Sequence, residues 1–554
     1  MMDLRGYYSE LSKKDLSAEL QCINALQRTP WRINSFVVET LRSAWESGEQ
    51  WEGLPPRENL TPPPYPFDVP PQELPEDKID QFKTFKAKRT SVHAFNAKSL
   101  SRRIQVERTI QLAEEYQQYE NLWFVWQMDF RGRKYCVESF MSPQVADYGK
   151  ACIEFANPAW IETDEDARWL AIHGANLFGV DKVSLDDREM FAYLHSDKAE
   201  AVADDPLTNR WWTEADKPWQ ALAWCKEWAN YIALRRSGKP CETRLPCASD
   251  GSCNGLQHLS AMLRDSEGGR AVNLTPSSVP QDIYTDVAER TVELLEEARA
   301  QGDELAGQLL NIGIDRKVTK RSVMIVPYSG TRFACREYIK EALADKCTGN
   351  NPWDDQFGVP AHHLSGFVWE AISEVIVSAG KVMDYIKALA KLYADNKLHM
   401  VWTTPTDFLV AQLYKDKDKR RIRTHLDGNV IRMNYQKDKE GTTNKRKTVS
   451  GSAPNFIHSL DASALTLTVG KCLEEGITDF AMVHDSYGTH SPNMDRLNQH
   501  IREAFVEMYE ENDVLEQLYE DAMAVLPEGT DVPRPPEKGD LLLREVIRSD
   551  YFFA

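Results

Sequence analysis

The spacing of apolar and polar positions changes along the chain, and each change of period marks an element. Residues 280–300, 303–312, 458–476 and 495–520 repeat with helical spacing. In the last of these, Ile501, Phe505, Met508 and Tyr509 form one apolar stripe, which predicts a core-facing surface. Residues 365–396 predict one or two long helices, and 78–120 a helical, basic segment. Residues 316–340 also read as helical, but Pro327 must end or kink the first part, because proline lacks the N–H and crowds the preceding turn. Period two dominates 400–435, which predicts strands with the "DGN" of 427–429 as a hairpin turn. A strand is expected around 122–127, with Asp129, Arg131 and Arg133 just beyond it. The proline-rich stretch 54–77, "LPPRENLTPPPYPFDVPPQELPED", can be neither regular helix nor central strand and predicts an extended surface connector.

Three stretches interrupt these patterns with chemistry. In "DFAMVHDSYGTH" (479–490) an apolar run predicts a buried strand, and His484, Asp485 and Ser486 a tight turn. By itself Asp485 reads as an Asx-type turn residue, but a carboxylate at the tip of a buried hairpin is otherwise paired or bound to metal. In "LPCASDGSCNGLQHLSAMLRD" (245–265) a short strand ends at Asp250, and small residues then leave room for a large ligand against the backbone. Two such carboxylates on adjacent strands suit a pair of Mg²⁺ ions that take their other ligands from phosphate and water. In "DRKVTKRSVMIVPYSGTRF" (315–333), Arg316, Lys320, Met324 and Tyr328 are four apart, on one helical face. That order of two cations, a flexible apolar group and an aromatic hydroxyl fits a triphosphate at one end and a base and sugar at the other.

Composition alters this picture in two ways. The 554 residues carry a net charge of −19, which taken whole argues against a nucleic-acid partner. The cations are clustered, however. Residues 81–109 hold eight Lys or Arg against the single acid Glu107, and residues 415–447 hold twelve against five Asp or Glu. Acids gather instead around 500–540, so the expectation is a basic channel in an acidic exterior. The ten cysteines lack paired metal-ligand spacing and read as reduced thiols of a cytosolic protein. No apolar run is long enough to span a membrane, and the charged N-terminus lacks a signal core. The length predicts two to four subdomains.

"DGSCNGLQH", "RKVTKRSVMIVPYSG" and "VHDSYGT" resemble motifs A, B and C of the single-subunit DNA-dependent RNA polymerases of bacteriophage and mitochondria, nearest to the T-odd phage enzymes. "MDFRGRKY" (128–135), "IHGANLFGVDK" (172–182), "GGRAVNLTPSSVPQDIY" (268–284), "APNFIHSLD" (453–461) and the terminal "SDYFFA" extend the resemblance over nearly the whole chain. It implies an α+β, mainly helical right-hand fold with an antiparallel palm sheet. Residues 1–34 would be a residual N-terminal segment, 35–120 a thumb-like region, 121–278 the palm with motif A, 279–458 the fingers, and 459–554 the palm with motif C and the C-terminal segment. Residue by residue, it implies that Asp250 and Asp485 hold two Mg²⁺ ions, with the Gly251 carbonyl as a further metal ligand. Lys320, Arg316, Arg321 and Lys182 would bind the triphosphate, with Lys320 protonating the leaving pyrophosphate. Tyr328 would select the sugar, with His458 and Tyr284 recognising the 2′-hydroxyl. His484 would support the primer end, Arg131 and Arg133 would contact template or hybrid, and the Ala554 carboxylate would fold back toward the site.

A related DNA polymerase would place Glu five residues after the first Asp, to block a 2′-hydroxyl. Here Gly255 stands there, which favours RNA synthesis. The basic stretch 403–447 matches the position of the promoter-reading loop. Arg421, Arg423, Arg432 and Asn434 are its candidate base readers, since Arg suits guanine and Asn adenine. The implied partners are DNA template, RNA product and NTPs, with no membrane, acting as a monomer in the cytoplasm of an infected bacterial host. Phage relatives carry a large N-terminal domain, of which only about 20 residues precede the matched region here. The resemblance leads one to expect that domain to be encoded separately, lost or removed, with a separate polypeptide or accessory factor as one expectation. Pro327 departs from the small residue expected before Tyr328. Two alternatives stand beside the polymerase reading. A DNA polymerase or primase on a similar palm is disfavoured by Gly255, and a non-catalytic nucleic-acid-binding relic by the presence of Asp250, Asp485 and Lys320.

Overall fold

In the computed structural model, which describes residues 4–347, 352–353, 356–426 and 429–554, helices pack around short two-stranded antiparallel ladders. This is the α+β, mainly helical class that the resemblance implies. The helices of 280–312 appear as Ile283–Ala300 and Glu304–Ile312, the latter capped by Asp303, whose Oδ1 accepts from the Ala306 N–H at 3.0 Å. The 365–396 segment is two helices, Gly358–Val375 and Val377–Asp395. The basic segment is one 38-residue helix, Ile79–Tyr116, preceded by the proline-rich connector, which contains two short 3₁₀ turns and is otherwise irregular.

Pro327 acts as expected. The Arg316–Met324 helix stops three residues before it, Val326–Tyr328 forms a 3₁₀ turn, and Arg332–Lys346 starts anew with Thr331 as its N-cap. Tyr328 therefore lies beyond the helix that carries Arg316, Lys320 and Met324 and does not share its stripe. The expected 122–127 strand is shorter and shifted. Leu122 bridges to Trp31, and Trp126–Met128 pairs with Lys134–Cys136. Lys417–Leu426 and Asn429–Asp438 pair with each other in one long antiparallel ladder. Two of the three "DGN" turn residues, 427 and 428, lie outside the described residues.

The main core is one continuous cluster rich in tryptophan, beside a small second cluster of Tyr7, Leu409 and Ala411. Trp212, Trp219, Trp224 and Trp228 are fully buried. The Trp224 ring occupies the space a side chain at Gly174 would need: a Cβ there would sit 2.1 Å from the ring. The stripe Ile501, Phe505, Met508 and Tyr509 is buried as predicted, on the Met494–Glu511 helix against the Lys445–Glu474 helix. Lys134 and Glu19 form a buried ion pair that Thr466 completes. No described helix is long and apolar enough to cross a membrane. All ten cysteines are free.

Candidate active site

Two strands carry the carboxylates. Cys247–Asp250 pairs antiparallel with Ser486–Thr489, with Asp250 opposite Ser486. The second strand begins at a two-residue turn: the N–H and C=O of Val483 and Ser486 bond each other at 2.9 Å, leaving His484 and Asp485 at the tip. His484 has φ = +57°, a left-handed conformation that closes such a turn. The Gly251 N–H donates to the Asp485 carbonyl at 3.3 Å. Asp250 and Asp485, 235 positions apart in sequence, thus stand at the same end of one ladder. Asp250 is open to solvent. Burial, then the nearby Asp461, raises the Asp485 carboxyl to about 6. This surplus of negative charge and the all-oxygen donor set suit a hard divalent cation. Among the described residues no cluster of three or more His, Cys, Asp or Glu could hold a metal by itself. A cation here would therefore draw its other ligands from phosphate and water.

A cavity of about 320 Å³ is lined by Asp250, Gly251 and the terminal Ala554 together with Lys182 and Lys320. The chain end is held there by the Ala554 N–H, which donates to the Asp250 carbonyl at 3.4 Å, and by a bridge between Phe553 and Gly251. The Arg316–Met324 helix is capped by Asp315, whose Oδ1 accepts from the N–H groups of Lys317 at 3.0 Å and Val318 at 3.4 Å. Arg316 pairs with Asp282 at 2.7 Å and lies over the buried Tyr284 ring, 5.3 Å from its centroid. Lys182 pairs with Asp181 at 3.2 Å. Burial, then Arg316, pushes the Lys320 ammonium below the usual lysine range, so its proton is released more readily. Arg321 faces away from this group, against Glu341 and the Tyr338 ring.

Behind Tyr328 lies a buried, cross-tied wall. The Tyr328 ring stands 4.9 Å from His458. Gly255 is occupied rather than open: a Cβ there would lie 2.8 Å from the Pro327 Cβ and 3.2 Å from the Tyr328 hydroxyl. The missing side chain is what lets Pro327 and Tyr328 approach, so Gly255 and Pro327 are complementary. The departure at Pro327 is thereby explained by packing. Asp461, one helical turn after His458, accepts from Arg133 at 2.6 and 2.9 Å and from Asn254 Nδ2 at 2.7 Å. Burial works against its charge, but Arg133 holds the carboxyl below the usual range. Arg131 is tied to Asp129, His458 and Tyr135. Both arginines therefore spend their guanidinium groups inside the protein. Burial, then Arg133, lowers His484 to about 4, and its ring meets Tyr135 edge-on at 4.9 Å.

The Lys417–Asp438 hairpin is exposed and two-faced. Arg421 pairs across the ladder with Asn434, and Arg423 with Arg432, so all four share one face. Ile422, Met433, Arg420 and Tyr435 occupy the other.

Sequence reasoning missed two groups. Asp461 was legible, since it closes the "APNFIHSLD" segment one turn from His458. Lys217, 3.9 Å from Asp250, was not. It precedes the Pro218–Arg236 helix and reaches the site only through tertiary packing.

Comparison with known proteins finds relatives over most of the chain. The profile of the DNA-dependent RNA polymerase family matches residues 162–532. The chain is 34% identical to the DNA-directed RNA polymerase of Enterobacteria phage K11, over 96% of this chain and 62% of the relative. It is 34% identical to T7 RNA polymerase of Escherichia phage T7, over 96% and 64%. It is 33% identical to the mitochondrial DNA-directed RNA polymerase 1B of Nicotiana tabacum, over 99% and 54%. The chain thus spans about three-fifths of its phage relatives' length and about half of the plant one's. On its motifs, its fold class and this match over most of its length, the chain belongs to the DNA-dependent RNA polymerase family.

Proposed function

We propose that this chain is the catalytic core of a DNA-directed RNA polymerase, transferring a nucleoside monophosphate from an NTP to the 3′-hydroxyl of RNA on a DNA template. The observation that carries this reading is the meeting of Asp250 and Asp485 at one end of a ladder, where Asp250 lines a cavity shared with Lys320 and Lys182. In this reading Asp250, Asp485 and the Gly251 carbonyl hold two Mg²⁺ ions. Bound there, Mg²⁺ would lower the pKa of the attacking hydroxyl and offset charge on the transferring phosphoryl group. Lys320, Lys182 and Arg316 receive the triphosphate, and Lys320, with its lowered pKa, donates a proton to the leaving pyrophosphate. Tyr328 and His458 face the ribose, with Tyr284 supporting Arg316 from behind. The Ile79–Tyr116 helix grips duplex as a thumb, and residues 279–458 act as fingers over a palm. The cationic face of the Lys417–Asp438 hairpin enters the major groove, where Arg421, Arg423, Arg432 and Asn434 meet base edges. As in a phage infection, the protein works in the host cytoplasm.

The test is extension of a labelled RNA primer on a DNA template with Mg²⁺, offering NTPs and dNTPs separately. Extension with NTPs alone, abolished by Asp485→Asn, is the expected result. Binding without extension would defeat the catalytic reading, and equal use of dNTPs would defeat the ribonucleotide one.

A further inference from the structure

Arg131 sits behind His458 with its Nη1 2.7 Å from the imidazole Nδ1. A guanidinium has donors only, so Nδ1 must accept, and the single proton of the neutral ring is on Nε2. Arg131 cannot turn away easily. Its Nε donates to Asp129 Oδ2 at 2.9 Å, and Nη2 reaches both that oxygen and the Tyr135 hydroxyl, the latter at 3.1 Å. Asp129 is fixed in turn: its Oδ1 accepts from the N–H groups of Arg131 at 2.9 Å and Arg133 at 3.3 Å. The turn closes through Gly132 at φ = +88°, whose N–H donates to the Asp129 carbonyl at 3.0 Å. The other side of the imidazole faces Tyr328.

We propose that Arg131 is a positioning residue that fixes the tautomer of His458, so that Nε2–H is always presented as a donor to the ribose 2′-hydroxyl oxygen. This rests on reading the site as a ribonucleotide insertion site. A site built around a fixed donor discriminates because a 2′-deoxy substrate leaves that donor buried and unpaired. Burial, then Arg133 and Arg131, holds His458 at about 3, so the ring stays neutral across the working range. Without Arg131 the ring is free to exchange tautomers. An NTP hydroxyl can still bond either form, since it donates and accepts, while the penalty on a dNTP falls.

The test compares kcat/KM for NTP and dNTP in the wild type, Arg131→Met, His458→Ala and the double variant, on a primed template. Arg131→Met should lower the NTP-to-dNTP ratio by about tenfold or more, chiefly by improving dNTP use relative to NTP. His458→Ala should lose discrimination as well, and the double variant should add nothing to it. Equal slowing of both substrates, with the ratio unchanged, would reduce Arg131 to a scaffold residue and overturn the proposal. If Arg131→Met does not fold, ¹⁵N spectra of the histidine-labelled wild-type chain decide the matter. The His458 signals, identified by their loss in His458→Ala, should show unprotonated Nδ1 and protonated Nε2, and the opposite tautomer would overturn the proposal. A wild type that uses dNTPs as well as NTPs would instead defeat the ribonucleotide reading itself.

Discussion

The wall behind Tyr328 and the Lys417–Asp438 hairpin are both built with arginine, and they use it in opposite ways. In the wall, Arg131 and Arg133 are 19% and 11% exposed, and each is tied to a carboxylate. In the hairpin, the side chains of Arg421, Arg423, Arg432 and Asn434 are exposed and make no ion pair or hydrogen bond to another described residue. An arginine bound inward has already lost its rotamer freedom on folding and fixes its neighbours. One held only by a ladder keeps that freedom and loses it on binding. The wall therefore couples these side chains to the buried core, whereas the exposed face of the hairpin is free of such ties.

This contrast can be broken from either side. The largest effect is expected at the carboxylates themselves: Asp485→Asn should lower primer extension by about three orders of magnitude or more, measured in single-turnover assays. Next comes the wall. Asp461→Asn leaves Arg133 buried without its counter-charge and should cost about 3–5 kcal/mol in urea denaturation, together with activity. A loss of activity with unchanged stability would show that the wall is not structural. Acid should also act on the wall. His258, buried against Tyr509 and near Asp461, is lowered by burial to about 4. Its folded value lies below the unfolded one, so its contribution is complete above about pH 6.5 and declines as pH falls toward 4. The slope is at most about 1.4 kcal/mol per pH unit. Urea midpoints at pH 7 and pH 5 should show this decline, and His258→Gln should reduce it by the share of one histidine, His458 and His484 supplying the same sign. The smallest effects belong to the hairpin. Arg423→Ala should leave thermal stability unchanged and cost about 1–3 kcal/mol on a preferred DNA sequence only. Lys437→Ala, on the opposite face, should weaken binding to all sequences alike and reduce the salt slope by about one.

Helix periods and the Pro327 break were legible because they are local: spacing and a missing N–H act within a few residues. The hairpin faces were legible for the same reason, since strict alternation puts Arg421, Arg423, Arg432 and Asn434 together once the ladder register is set. The meaning of Gly255 was only half legible. The absence of a blocking Glu can be read along the chain, but that Pro327 and the Tyr328 hydroxyl fill the space cannot. The same holds for Arg131 and Arg133. The resemblance implies that they contact template or hybrid, and only packing shows their inward partners Asp129, His458 and Asp461.

By itself, then, the sequence determined the helical and alternating elements, the three motifs with their carboxylates and cations, and the family resemblance. Those properties depend on residue type and spacing, which short-range geometry converts directly into structure. Only the tertiary structure decided which side chains meet. It brought Asp485 beside Asp250, Lys217 within 3.9 Å of the same carboxylate, and Arg131 against His458. Contacts across hundreds of residues depend on how buried surfaces pack and which charges must be neutralised there. No window of the chain contains both halves of that condition.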